Sequence, residues 1–131
     1  MSSSIDFSLS RSTDSNKVIQ FLTSLYDYME YTFFWIKSTW VDDVTRNGLD
    51  YIGPSIIDND IPKFKEILIA WKQLFTLATE NFDVPLGYDF ETSERYKERV
   101  NREKTIHLID HLIGLCDLAI ESNDTITVHG L

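Results

Sequence analysis

From Asp14 to Asn47 the chain contains neither glycine nor proline, the residues that most often interrupt regular structure. Within that stretch Val18, Leu22, Leu25, Met29, Phe33, Ile36 and Trp40 recur at steps of three or four. That spacing lines one face of an α-helix. Asp14 or Ser15 can cap the free amides at its start, and Asn47-Gly48 is a strong stop signal. The pattern predicts a helix over about residues 15–46. Its weak point is the run Thr32-Phe33-Phe34-Trp35-Ile36, which has strand propensity, followed by Ser38-Thr39, which favours helix poorly. A kink or break is therefore expected near 32–39, if anywhere.

Residues 47–59 read as a connection rich in turn formers. A second helix is predicted over 60–82, with Asp60 as cap, Pro62 in the first turn and a stripe of Phe64, Leu68, Trp71, Phe75, Ala78 and Phe82. After a loop at 83–90, a third helix is predicted over 93–122. Its first half is highly charged, and its second half carries a seam of Ile106, Ile109, Ile113, Cys116 and Ile120. The fold class expected is thus all-α, an up-down-up bundle of three long helices crossing at about 20°. Residues 1–13 alternate at Ile5, Phe7 and Leu9, which permits a strand, but a loose or tucked arm is favoured. Residues 124–131 either add a short strand or stay loose.

At 131 residues the chain suits a single domain. Area scaling gives it a folded surface of about 7,000 Å², with roughly two-thirds of the extended chain's surface buried. The lone Cys116 excludes an intrachain disulfide and a cysteine-based zinc site. The N-terminus has no basic-then-apolar pattern of a signal peptide. The richest apolar stretch, Ile106 to Ile120, is short and carries Asp110, Asp117 and two histidines, so no segment is expected to cross a bilayer. A soluble cytoplasmic protein is expected. The formal net charge of −9 disfavours nucleic acid and anionic membranes and favours a basic protein partner.

Catalytic patterns are sparse. His107 and His111 sit four apart, a spacing with which helices hold divalent metals. On a helical wheel both lie opposite Ile109, away from the core, where no third ligand is expected. A surface or packing role is favoured, with a metal-dependent enzyme as the third reading. Cys116 falls on the core seam, where an inert thiol is the default. No nucleophile elbow, phosphate-binding loop or zinc-protease motif occurs. No enzyme activity and no cofactor are expected.

Charge is unevenly spread. Residues 92–105 carry Arg95, Lys97, Arg99, Arg102 and Lys104 against three glutamates, which reads as a solvated, ion-paired face. Residues 50–91 carry eight acids against three lysines, and their loops add Tyr51 and Phe90. Apolar anchors among acids are the makeup of a protein-binding surface. The residues expected to bind a partner are Asp50, Tyr51, Asp58, Asp60, Asp83, Asp89, Phe90 and Glu91. Being small, acidic, aromatic-rich and free of catalytic motifs, the chain resembles bacterial immunity proteins in general character. The resemblance implies an inhibitor that neutralises a basic toxin or nuclease by direct binding. The alternative is a helical homo-oligomer, such as a homodimer, or an adaptor, using Phe34 and Val41, which project away from Leu25 on the first helix. A partner would cover that face, or a kink would rotate Phe34 and Trp35 inward.

Overall fold

A computed structural model describes residues 4–12, 14 and 17–131, with the side chains of Tyr88 and Asp89 outside that description. Among the described residues the chain is mixed, with three helices and eight strands. The order is β1 (Ser4–Leu9), β2 (Ile19–Leu22), α1 (Thr23–Phe33), β3 (Lys37–Trp40), β4 (Thr45–Asn47), β5 (Pro54–Ile57), α2 (Ile61–Phe75), β6 (Asn81–Asp89), β7 (Glu94–Asn101), α3 (Arg102–Ser122) and β8 (Ile126–His129). Six strands form an antiparallel sheet in the order β2-β1-β8-β5-β3-β4, and β6-β7 is a separate hairpin. The all-α, up-down-up helical bundle expected from periodicity is overturned.

The sheet explains why. Ile5 and Phe7 on β1 alternate inward, as do Phe21 on β2, Ser55 and Ile57 on β5, and Ile126 and Val128 on β8. The register sets Phe7 beside both Ile19 and Val128, so these residues share one face. Asp6, Gln20 and His129 turn to the other. The arm at 1–13 is therefore not loose where it is described: β1 sits inside the sheet, between β2 and β8. The C-terminal stretch takes the strand alternative.

Helices cover the apolar face. Phe64 of α2 stacks on Phe7 at 5.9 Å between ring centroids and meets Phe33 of α1 edge-on at 5.3 Å. α3 buries Ile109, Leu112, Leu115, Cys116 and Ala119, while Ile120, expected in its seam, is exposed. Lys65–Asp117 at 2.5 Å and Lys72–Asp110 at 2.6 Å tie α2 to α3.

Each helix differs in extent from its expected span. The first, predicted over 15–46, survives only as α1. Its expected start at Asp14 or Ser15 falls ahead of β2, and Ser15 lies outside the described residues. After Phe33 two tight turns, Trp35 N–H to Thr32 O and Ile36 N–H to Phe33 O, swing Ile36 into the core and start β3. The break falls within 32–39, as expected, but the chain continues as a β3–β4 hairpin rather than as more helix. The hairpin's turn has Asp43 at φ 63° and a 2.7 Å Asp42–Arg46 ion pair. α2 begins beside Asp60 with Pro62 in its first turn, as expected, and ends seven residues early. Phe82, expected on that helix, belongs to β6 and stacks on Phe75 at 5.5 Å. α3 ends where expected, with Asn123 in a left-handed cap, but starts only at Arg102. The charged residues 94–101 form β7, where Asp83 faces Arg99 and Pro85 faces Lys97 across the hairpin.

Candidate protein-binding surface

The end of α1 concentrates aromatic and acidic side chains. The helix buries Leu25, Tyr26, Met29 and Phe33, which leaves Asp27, Tyr28 and Tyr31 outside. Because the chain breaks straight after Phe33, Trp35 also projects. Tyr31 is 80% exposed and Trp35 62%. The break does not carry Phe34 and Trp35 into the core. Phe34 instead lies over Gly48, where an added Cβ would come within 2.7 Å of its ring. Gly48 has φ +89° and donates its N–H to Ile36 O at 2.8 Å, so the turn fixes the backbone beneath that ring.

A groove of about 420 Å³ continues this surface towards α2, lined by Thr32, Trp35, Ile67, Ala70, Trp71 and Leu74 among others. Trp71 Nε1 donates to Thr32 Oγ1 at 2.9 Å, and Thr32 Oγ1 donates to Met29 O at 2.7 Å. These bonds tie α2 to the last turn of α1 at the groove wall.

Carboxylates gather on the neighbouring flank. Burial, then Glu30, Asp27 and Asp50, push the Tyr26 hydroxyl far up. Burial, then Asp27, raise Tyr51, whose ring lies 5.8 Å from that of Tyr26. Burial, then Asp27, raise the Glu30 carboxyl above its ordinary range. Asp27, Glu30 and Asp50 thus share one neighbourhood, and among the described residues no ion pair neutralises any of them.

The acids expected to bind a partner are divided among three places. Asp50 and Tyr51 join the α1 cluster, although one Asp50 oxygen accepts from Ile52 N–H at 3.0 Å. Asp58 and Asp60 flank a hollow of about 310 Å³ beside β3, and Asp60 accepts the Lys37 N–H at 2.7 Å instead of capping its own helix. Asp83, Asp89, Phe90 and Glu91 belong to the β6–β7 hairpin. There Asp83 pairs with Lys97 at 3.5 Å and Arg99 at 3.9 Å, and Phe90 is 88% exposed. The Asp89 side chain lies outside the described residues. Val41, expected beside Phe34 on one helix, sits in the β3–β4 turn and is 76% exposed.

The sequence pattern did not single out Asp27, Tyr28, Glu30 and Tyr31, because a helix of about 30 residues was expected there, and Trp35 was expected only at its kink. The available signal was the alternation of acids and aromatics in Tyr26-Asp27-Tyr28-Met29-Glu30-Tyr31.

His107 and His111 are exposed on α3 with ring centroids 4.2 Å apart. Among the described residues no group of three or more His, Cys, Asp or Glu is placed to hold a metal ion. The buried Cys116 thiol is pushed up to about 12, first by burial and then by Asp117. No described helix is long and apolar enough to cross a membrane.

No protein-family model matches the chain, and comparisons with curated proteins and with solved structures find no match.

Proposed function

We propose that this protein is a cytoplasmic binding module, not an enzyme, that docks a basic partner protein on the acidic–aromatic end of α1. The observation that carries the reading is the nearness of exposed Tyr31 and Trp35 to the carboxylates Asp27, Glu30 and Asp50, none of which forms an ion pair among the described residues. Exposed tryptophan and tyrosine on a rigid element are the side chains from which binding hot spots are made, each worth about 2 kcal/mol or more when central. Adjacent carboxylates speed encounter with a cationic surface and reject anionic ones. The sharpest form of the reading is an immunity-type inhibitor that covers the active surface of a basic toxin such as a nuclease.

The test is affinity capture from the native cells at low salt with three baits: wild type, Tyr31→Ala/Trp35→Ala, and Asp27→Asn/Glu30→Gln. A stoichiometric basic protein, held by wild type, released by salt and lost from both variants, is the expected result. Retention by both variants would place the interface elsewhere and sink the proposal. A second reading, a homo-oligomer through Phe34 and Val41, draws on the exposure of Val41. It requires a mass above that of one chain in sedimentation, restored to one chain by Phe34→Asp.

A further inference from the structure

A trough runs between the edge strand β2 and one flank of α3. Its helical wall is a single stripe, Lys104, Leu108, His111, Leu115 and Leu118, spaced alternately by four and three residues. At 1.5 Å per residue the stripe is about 21 Å long. Two hollows, of about 500 and 640 Å³, make up the trough and meet at Leu108, which lines both. Leu9, Val18, Ile19, Leu22, Leu25 and Val100 supply the rest of its apolar lining.

Its rim has the opposite sign to the rest of the chain. Lys17, Arg99 and Lys104 line it, in a protein of net charge −9. The one acid lining it among the described residues, Asp110, is already held by Lys72 at 2.6 Å. Arg99 reaches Asp83 only at 3.9 Å. The wall facing α3 is also an outermost strand of the sheet. An edge strand directs alternate N–H and C=O groups outward, where an added strand can use them.

We propose that this trough receives an extended acidic segment of a partner protein, which adds a strand to the outer edge of β2. Its aliphatic side chains pack against Leu108 and Leu115, and its carboxylates meet Lys17, Arg99 and Lys104. The length fits, since about six extended residues span 21 Å. A second copy of this chain is a poor occupant, because pairing β2 with β2 would set these cations against themselves and join two chains of like net charge. A basic segment meets the same repulsion. None of the α1 carboxylates Asp27, Glu30 or Asp50 lines the trough, so its occupant is independent of the α1 surface.

The experiment selects random octapeptides displayed on phage against the whole protein at low salt. Winning peptides are then titrated by fluorescence anisotropy. The expected winners alternate aliphatic and acidic residues. Lys17→Glu/Lys104→Glu, at two exposed positions, should weaken them about tenfold or more. Asp27→Asn/Glu30→Gln should not weaken them. In the complex, the amides of Ile19–Leu22 should exchange with solvent more slowly. Failure to enrich any peptide, basic winners, indifference to the lysine reversals, or unprotected β2 amides would each overturn the proposal. Binding of dodecanoate without binding of any peptide would overturn it too, in favour of a small amphiphile.

Discussion

Glu30 shows at the level of one side chain that the proposed surface carries a cost in stability. It is half-buried, and burial followed by the Asp27 charge lifts its carboxyl above the ordinary 4.5. A carboxyl raised by folding binds its proton more tightly in the native state, so ionisation opposes folding. That cost is absent below the unfolded value, grows as pH rises through the folded value, and is complete above it. Glu30→Gln should therefore raise the melting temperature at pH 7, with the gain vanishing below about pH 4. Thermal melts at both pH values decide it, and an equal gain at each would exclude charge as the cause. The same substitution should weaken the basic partner, the trade-off expected where a site is kept at the expense of stability. Asp42 differs: its hydrogen bond to Arg46 holds it down at about 2, so that turn's carboxylate is already matched.

Among the elements, the decisive feature is where α1 stops. Two turns after Phe33 bury Ile36, leave Trp35 outside and lay Phe34 over Gly48. Gly48→Ala asks an L-residue to adopt φ +89° and places its Cβ 2.7 Å from the Phe34 ring. Urea denaturation should show a loss of about 1–3 kcal/mol. A variant as stable as wild type would mean that neither the ring nor the turn is fixed as described. The β6–β7 hairpin is anchored differently. The Phe75–Phe82 stack and the Arg102 Nη1 bond to Ala78 O at 2.9 Å hold its base, whereas Leu86, Phe90 and Tyr96 beyond it are exposed.

For the whole molecule, that hairpin accords with the accessible surface of 8161 Å², above the roughly 7,000 Å² that scaling gives for this mass. The rest depends on β8, which pairs with β1 on one side and β5 on the other. Ile126 and Val128 are fully buried there. Losing their burial alone costs about 3–6 kcal/mol, a large share of the 5–15 kcal/mol of a typical domain. Truncation after Asn123 should abolish cooperative melting followed by circular dichroism. A sharp transition in the truncated chain would show that the sheet does not need its middle strand.

What the sequence determined by itself was local. The cap region and Pro62 located the start of α2, the third helix was expected to stop at residue 122, where α3 does, and helical periodicity picked out Leu25, Met29, Phe33, Phe64, Leu68, Phe75, Ile109 and Cys116, all buried. Of the residues of the proposed surface, the acidic loops pointed to Asp50 and Tyr51, whereas Asp27 and Glu30 lay within a predicted helix and Trp35 at its expected kink or break. Only tertiary structure decided the sheet. Leu22 satisfies a helical spacing, yet Ile19 and Phe21 satisfy a strand's alternation equally well, and the choice is made by β1 alongside. Asp6 lies opposite His129, nearly the whole chain away. A helix closes its hydrogen bonds four residues away and so leaves its period in the local sequence. A strand closes them on partners whose position the local pattern does not encode.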